Sequence, residues 1–198
     1  MSEHESEREH VVIVIVRHGQ TAWSVSGRHT GRTDVPLTEA GRDAAARLEP
    51  ALARRSFSLV LTSPLRRARD TCALAGFAAV ARVDDDLVEW DYGEYEGRTT
   101  AAVRAERPRW SLWSDGVPGG EDAAAVGRRA DRVIETVRNA AGDVLVFAHA
   151  HVLRVLAARW IDLAPEEGAR FVLDPARPST LGYERDVAVI REWNVPDL

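Results

Sequence analysis

The chain has 198 residues, of which 45 % are hydrophobic and 29 % are charged, ordinary proportions for one soluble globular domain. The net charge of −5 argues against a nucleic acid or an anionic membrane surface as the main partner, and no apolar stretch is long enough to span a membrane. The chain has one cysteine, Cys72, so an internal disulfide is excluded and a cytoplasmic location is expected.

The first ten residues differ in character from the rest of the chain. Segment 1–10 is polar and lacks the apolar stretch of a signal peptide, so we predict a disordered tail there, followed by a single domain over 11–198. The domain opens with six β-branched residues at 11–16, which are typical of a buried central parallel strand. Arg17 and His18 follow where such strands end and ligands bind, and the next residue is a glycine, which allows close approach by a ligand.

A second strand is predicted over 57–62, after a helix that Thr38 is expected to cap. Ser63 and Pro64 come next, and serine at the N-cap with proline at the first helical position predicts a helix start. That helix carries three arginines within two turns, Arg66, Arg67 and Arg69. A helix amino terminus with arginine side chains attracts anions, although adjacent positions point about 100° apart and cannot all face one site.

Segment 87–97 follows a short strand predicted over 79–83 and alternates carboxylates with aromatic side chains. Apolar rings around Glu89 are expected to raise its pKa, which suits a general acid. The alternative interpretation is an ordinary loop in which Trp90 and Tyr95 are half-buried.

A further buried strand is predicted over 144–148, and it ends at His149 with His151 two residues on. Two histidines at this spacing can bind zinc, but they begin a helix and no third ligand is evident, so we predict no metal. Two or three strands over 169–193 are expected to complete one edge of the sheet.

Strands that alternate with helices predict parallel βαβ units, whose strand ends lie along one edge of a sheet. Arg17 with His18, Arg67 or a neighbouring arginine, and His149 would then meet there and form a pocket for a tetrahedral dianion. The chain has no P-loop, no Gly-x-Gly-x-x-Gly motif and no nucleophilic serine elbow, so a nucleotide-binding fold and a serine hydrolase lose support.

Several short motifs resemble the histidine phosphatase superfamily, in its phosphoglycerate mutase-like branch. They are Arg-His-Gly-Gln-Thr at 17–21, His-Thr-Gly at 29–31, Ser-Pro-Leu-x-Arg-Ala at 63–68, Glu-Trp-Asp-Tyr-Gly at 89–93 and Phe-Ala-His at 147–149. The motifs occur in the family's order and are most similar to actinobacterial acid phosphatases and fungal sedoheptulose bisphosphatase. The resemblance implies a three-layer α/β/α fold, with a mostly parallel central sheet and helices on both faces.

The resemblance also implies a metal-independent phosphomonoesterase without a cofactor, acting on a small phosphorylated metabolite, and it leaves a homodimer open. His18 would attack phosphorus as a neutral nucleophile, and Glu89 would protonate the leaving oxygen. The implied catalytic residues are Arg17, His18, Arg67, Glu89 and His149, and the implied substrate-binding residues are Ser24, Thr30, Gly31, Tyr92 and His151. A carboxyl that must be protonated before the attack predicts an acidic activity optimum.

Two positions depart from the family pattern. Ser24 stands where many relatives have asparagine, and a serine hydroxyl is shorter than the asparagine amide that contacts the phosphate in those relatives. Ala150 stands where the family usually has glycine; if the backbone there requires a positive φ, its methyl group would displace His149 and reduce activity.

Two other functions are weighed against the phosphatase. A cofactor-dependent phosphoglycerate mutase fits the same motifs, but mutases of this family have longer chains with extra segments that exclude water. A non-catalytic module that binds a phosphorylated ligand or a protein is the third hypothesis, and the complete set of His, Arg and Glu residues argues against it.

Overall fold

The computed structural model describes residues 11–196, so the predicted disordered tail at 1–10 lies outside the described residues. In that range six strands form one sheet: β1 (Ile13–Arg17), β2 (Leu59–Thr62), β3 (Ala81–Val83), β4 (Val144–Ala148), β5 (Pro178–Glu184) and β6 (Val187–Glu192). The α-helices are α1 (Ala22–Val25), α2 (Glu39–Ala46), α3 (Glu49–Leu52), α4 (Arg66–Leu74), α5 (Thr100–Glu106), α6 (Leu112–Asp115), α7 (Ala123–Arg138) and α8 (Ala150–Trp160). Short 3-10 helices cover Asp85–Leu87, Gly93–Tyr95 and Pro165–Arg170.

The strand order is β3-β2-β4-β1-β5-β6. Strands β3, β2, β4 and β1 pair in parallel, whereas β5 pairs antiparallel with β1 and β6 pairs antiparallel with β5. The predicted, mostly parallel sheet is therefore confirmed, and its edge at 169–193 contains two strands. The second and third strands begin at Leu59 and Ala81, two residues later than predicted in each case.

Alternating side chains of the central strands fill two separate cores, because successive strand residues point to opposite faces of a sheet. Ile13 and Ile15 of β1 pack on one face with apolar residues of α7 and α8. Val14 and Val16 pack on the other face, with Leu48, Leu52, Cys72 and Ala75 from the region of α2 to α4. Helices thus cover both faces, which confirms the three-layer α/β/α architecture.

Helix α4 begins later than its sequence predicts. Ser63 was expected as the N-cap, but the helix starts at Arg66 and Leu65 occupies the N-cap position without a side-chain hydrogen bond. Asp34 supplies a partner for the first turn instead, since its Oδ1 accepts from the Arg66 backbone N–H at 2.9 Å. The Ser63 Oγ accepts from the Leu65 backbone N–H at 3.3 Å, in the turn before the helix.

Helix α2 begins as predicted, with the Thr38 Oγ1 accepting from the Gly41 backbone N–H at 3.0 Å. It stops at Ala46, and α3 starts anew at Glu49 with Pro50 in its first turn. A proline in the middle of one continuous helix would lose a hydrogen bond and clash with the preceding turn, so the predicted stripe from Ala44 to Leu52 spans two helices. Among residues 11–196, no helix is long and apolar enough to cross a membrane.

Candidate active site

Three neighbouring strands bring distant residues to one edge of the sheet. His18 follows β1, His149 follows β4 and Arg67 lies in the first turn of α4 after β2, and β4 runs between the other two strands. The ring centroids of His18 and His149 are 5.1 Å apart, and the Arg67 Nε donates to the His149 Nδ1 at 3.1 Å. The predicted convergence of the strand ends is therefore present in the structure.

A cavity of about 370 Å³ opens beside these strand ends. The predicted residues that line it are Arg17, His18, Ser24, Thr30, Glu89, Tyr92 and His151. Three predicted residues do not line it: Arg67 and His149 are fully buried behind its wall, and Gly31 packs inside a loop. Arg28, His29, Thr100 and Arg154 line the cavity without having been assigned to the site from the sequence.

His18 is buried and neutral. Burial, and then the positive charges of Arg17 and Arg67, lower its pKa to about 3. Its Nδ1 lies 2.7 Å from the Gly19 carbonyl oxygen, so Nδ1–H donates to that oxygen and Nε2 keeps a free lone pair. Above about pH 4 the ring therefore presents an unprotonated nitrogen, as a nucleophile requires.

The Arg17 guanidinium is only partly satisfied by the protein. One terminal nitrogen, Nη1, donates to the Leu173 carbonyl at 2.6 Å, whereas the buried Nε has no hydrogen-bond partner among the described residues. An unpaired buried donor is costly, and a positively charged one favours a negatively charged partner. Arg17 thus fits an anion bound in the cavity next to His18.

Arg67 is committed to other protein groups. Its Nη1 donates to the Thr33 carbonyl, and its Nη2 donates to the carbonyls of Thr30 and Gly31. With Nε on His149, the guanidinium clamps the 30–33 loop and orients the imidazole. The catalytic role of Arg67 that the resemblance implies stays a prediction.

Ser63 is a site residue that sequence analysis missed. Because the His149 Nδ1 accepts from Arg67, its Nε2 carries the proton and donates to the Ser63 Oγ at 2.7 Å. Burial, and then the charge of Arg67, hold the pKa of His149 well below its usual range, so this tautomer is neutral. Ser63 directly follows β2, as His18 follows β1, and that shared position is the signal that could have identified it.

Glu89 is ionised, contrary to the expected rise of its pKa. Its Oε1 accepts from the backbone N–H groups of Trp90 and Val152, and its Oε2 accepts from that of His151. Burial favours the protonated form, but hydrogen bonding, above all with His151, outweighs it and holds the pKa of Glu89 well below its usual range. Two of the N–H donors belong to the first turn of α8, whose dipole also favours a carboxylate.

Two glycines near the site serve packing. A Cβ on Gly19 would lie 2.4 Å from the Gly41 carbonyl oxygen. The sequence suggested that a ligand approaches this glycine closely, but in the structure the backbone of α2 does so. A Cβ on Gly31 would lie 2.7 Å from the Trp90 carbonyl oxygen, and the Gly31 N–H donates to both carboxylate oxygens of Glu96. Gly31 therefore holds its loop in place.

The two departures from the family pattern have structural explanations. Ala150 is the first residue of α8 and does not have a positive φ, so the condition under which its methyl group would displace His149 is not met. Ser24 forms a capping box with Thr21 at the start of α1, and its side chain also lines the cavity.

Within residues 11–196, no group of three or more His, Cys, Asp or Glu side chains could hold a metal ion.

Comparisons with known proteins agree with this geometry. An acid phosphatase of Mycobacterium tuberculosis is 41 % identical over 179 residues, covering 88 % of each chain. Sedoheptulose 1,7-bisphosphatase of Saccharomyces cerevisiae is 38 % identical over 78 % of this chain and 69 % of its own. The solved structure of an open reading frame from M. tuberculosis superimposes with a TM-score of 0.86 at 38 % identity, covering 93 % of this chain and 97 % of that one.

A named mutase is also similar. A 2,3-bisphosphoglycerate-dependent phosphoglycerate mutase of Gloeobacter violaceus is 34 % identical over 88 % of this chain and 87 % of its own. This chain is thus not short compared with that relative, and the length argument against a mutase is wrong.

The sequence profile of the histidine phosphatase superfamily (branch 1) matches residues 13–196. With that match and the residues that meet at the strand ends, the chain belongs to branch 1 of the histidine phosphatase superfamily.

Proposed function

We propose that the chain is a phosphomonoesterase that forms a phosphohistidine at His18, within one domain over 11–198. The observation that carries this proposal is that one cavity is lined both by His18, a neutral ring with a free Nε2, and by Arg17, whose buried Nε has no partner among the described residues. Phosphoryl transfer requires a nucleophile and a fixed positive charge that both act on the same small anion. The phosphatases among the relatives support small phosphorylated metabolites, such as a sugar phosphate or bisphosphate, as substrates.

In the first step the His18 Nε2 forms a bond to phosphorus while the bond from phosphorus to the leaving oxygen breaks. Arg17 donates to the non-bridging oxygens as their charge shifts, and Arg67 acts through the orientation of His149. Glu89, an ionised carboxylate in the free enzyme, takes up a proton once the substrate is bound and gives that proton to the leaving oxygen. In the second step the Glu89 carboxylate accepts a proton from water, whose oxygen attacks phosphorus and frees His18.

We propose that neither a metal nor a cofactor takes part, because the guanidinium groups and the protein N–H donors supply the charge that the phosphoryl group needs. A cytoplasmic location is supported by the presence of a single cysteine, Cys72, which leaves no internal disulfide to form. The Cys72 thiol is buried and unreactive, because burial raises its pKa to about 12. Among Ser24, Thr30, Tyr92 and His151, each side chain lines the cavity and is available to contact the substrate.

The experiment that tests this function is a screen of phosphorylated metabolites for released phosphate, with His18→Gln as the matched control. The wild-type protein is expected to release phosphate from one or more sugar phosphates, and His18→Gln is expected to lower kcat by at least about a thousandfold. Equal hydrolysis by both proteins would instead favour a non-catalytic module that binds a phosphorylated ligand.

The mutase remains a second candidate because of the similar G. violaceus protein. The two activities share the phosphoenzyme and differ in whether water or a second phosphoglycerate hydroxyl receives the phosphoryl group. We expect phosphate release to exceed interconversion of phosphoglycerates in the presence of 2,3-bisphosphoglycerate. The reverse order of the two rates would identify the chain as a mutase.

A further inference from the structure

The His151 side chain is half-buried beside Glu89 and has no part in the steps above. Its backbone N–H donates to the Glu89 Oε2 at 3.0 Å, and its ring Nδ1 lies 3.7 Å from the same oxygen. The Nδ1 is also 2.6 Å from the Tyr92 hydroxyl oxygen, within hydrogen-bonding distance. The imidazole therefore stands between the acid–base carboxylate and a phenol on the cavity wall.

Aromatic packing holds this ring in place. The ring centroids of Trp113 and Trp90 lie 5.4 and 6.2 Å from that of His151 and restrict where the imidazole can move. Tyr92 is itself fixed, since its ring stacks on His29 at 4.8 Å. In this position the His151 ring faces both the Tyr92 hydroxyl and the Glu89 carboxylate.

The charges around His151 come from several elements. Burial opposes a positive imidazole most strongly and Glu89 favours it, whereas Arg154 from α8 and Arg17 from β1 oppose it. The neutral side chains of Tyr92 and His29 complete the surroundings. A phosphate dianion in the cavity adds negative charge to this set, so substrate binding favours a protonated His151.

We propose that His151 is a positioning residue that supplies Glu89 with the proton for the leaving oxygen; this inference rests on the proposed phosphatase function. The His151 Nδ1–H bond breaks, its electron pair stays on nitrogen and a bond from hydrogen to the Glu89 Oε2 forms. Glu89 then protonates the leaving oxygen. In hydrolysis of the phosphoenzyme, water protonates Glu89, and the proton returns to Nδ1.

Tyr92 accommodates both states of the ring. Its hydroxyl oxygen accepts from Nδ1–H when His151 is charged, and its O–H donates to Nδ1 when the ring is neutral. Burial and the nearby Glu89 raise the pKa of Tyr92 well above its usual range, so the phenol keeps its proton throughout. The pair can therefore hold or release one proton without leaving a buried polar atom unpaired.

The test is His151→Gln, whose amide can still bond to Tyr92 but cannot carry the proton. Two substrates are compared: glycerol phosphate, whose alkoxide must be protonated to leave, and nitrophenyl phosphate, whose phenolate leaves unaided. We expect kcat to fall at least about tenfold more for glycerol phosphate, and the alkaline limb of its kcat profile to move about one pH unit lower. An equal loss on both esters at every pH would overturn the proposal.

Tyr92→Phe is the second variant, because it keeps the stacking on His29 and removes only the hydroxyl. We expect Tyr92→Phe to lower kcat more for glycerol phosphate than for nitrophenyl phosphate, by a smaller ratio than His151→Gln does. If both variants lower kcat equally for the two esters, the inference is contradicted. Quenched wild-type enzyme is examined for phosphohistidine in the same experiment. Its absence would refute the proposed function, whereas its presence with no difference between the esters would refute the role of His151 alone.

Discussion

At the scale of single residues, the site depends on buried groups whose charge is set by their neighbours. His18 is neutral because it is buried among arginines, and Glu89 is ionised because three backbone N–H groups point at it. Each group in its opposite form would be unreactive, since an imidazolium cannot attack phosphorus and a carboxyl that stays protonated cannot activate water. His18 is thus in its reactive form before the substrate arrives, whereas Glu89 must first gain a proton to act as the acid.

This charge pattern predicts how activity depends on pH. Since Glu89 is ionised in the free enzyme, the proton for the leaving group must arrive with the substrate or from solution. Phosphate esters lose their second proton near a pKa of about 6, so kcat/KM is expected to fall about tenfold per pH unit above that value. Esters with a lower second pKa should show the fall at lower pH. A kcat/KM that rises steadily from about pH 5 to about pH 9 would contradict this assignment of the proton.

Buried neutral histidines also make the protein sensitive to acid. Burial, and then the nearby His151, lower the pKa of His29 to about 4, so in acid the unfolded chain binds a proton that the folded chain does not. Stability therefore falls as the pH drops below about 6.5 and levels off below about 4. At pH 5 the free energy of unfolding is lower by about 2 kcal/mol than at neutral pH because of His29.

The variant His29→Phe keeps a ring against Tyr92 and removes the titration. Urea unfolding at about pH 7 and pH 5 should show a loss of unfolding free energy that is smaller by about 2 kcal/mol in His29→Phe than in the wild-type protein. The same loss in both proteins would show that His29 is not responsible.

Sequence analysis predicted some of these residues and not others, for physical reasons. His18 and His149 were found because each follows a run of buried strand residues, and the parallel order of those strands brings their ends together. Ser63 was assigned to a helix cap because the sequence does not show that Asp34, 32 residues before Arg66, bonds to the first turn instead. The charge of Glu89 was mispredicted because its N–H donor at Val152 lies 63 residues away.

At the scale of elements, the loop after β1 is positioned by contact with α2. The backbones of Gly19, Gln20 and Gly41 touch without intervening side chains, and a Cβ on Gly41 would lie 2.2 Å from the Gln20 carbonyl oxygen. The Gly19 N–H also donates to the Thr71 hydroxyl oxygen of α4. Helices α2 and α4, on one face of the sheet, thus hold the residues that follow His18. The packing of these two helices therefore helps to position the nucleophile.

The contact predicts that Gly41→Ala destabilises the protein and misplaces His18. We expect a loss of about 1–3 kcal/mol in the free energy of unfolding and a lower kcat, because two backbones must move apart. Gly142→Ala is the matched control, since its Cβ would meet the Ser58 Cβ at an ordinary 3.5 Å. Denaturant unfolding of both variants measures the difference, and equal stabilities would refute the close packing.

At the scale of the whole molecule, the parallel part of the sheet gathers the site and the antiparallel part closes its edge. Strands β1, β4 and β2 carry the site residues at their ends, whereas β5 and β6 follow the 171–174 segment, which lines the cavity. The alternation of strands and helices predicted the parallel part. The antiparallel pairing of β5 with β1 could not be predicted, since nothing in its sequence specifies which edge it joins.

The proposed absence of a metal leads to a simple prediction for the whole protein. Prolonged treatment with a chelator, followed by buffer exchange, should leave kcat and KM unchanged, because guanidinium and N–H groups carry the charge stabilisation. Loss of activity that is restored by a divalent cation would contradict the proposal.

The most direct test of the central claim is to trap the phosphoenzyme. Turnover of a labelled phosphate ester is quenched in alkali, where a phosphorus–nitrogen bond survives, and peptide mapping locates the label. We predict that the label lies on His18 in the wild-type protein and is absent from His18→Gln. A label on another residue, or rapid turnover with no phosphoenzyme at all, would contradict the account.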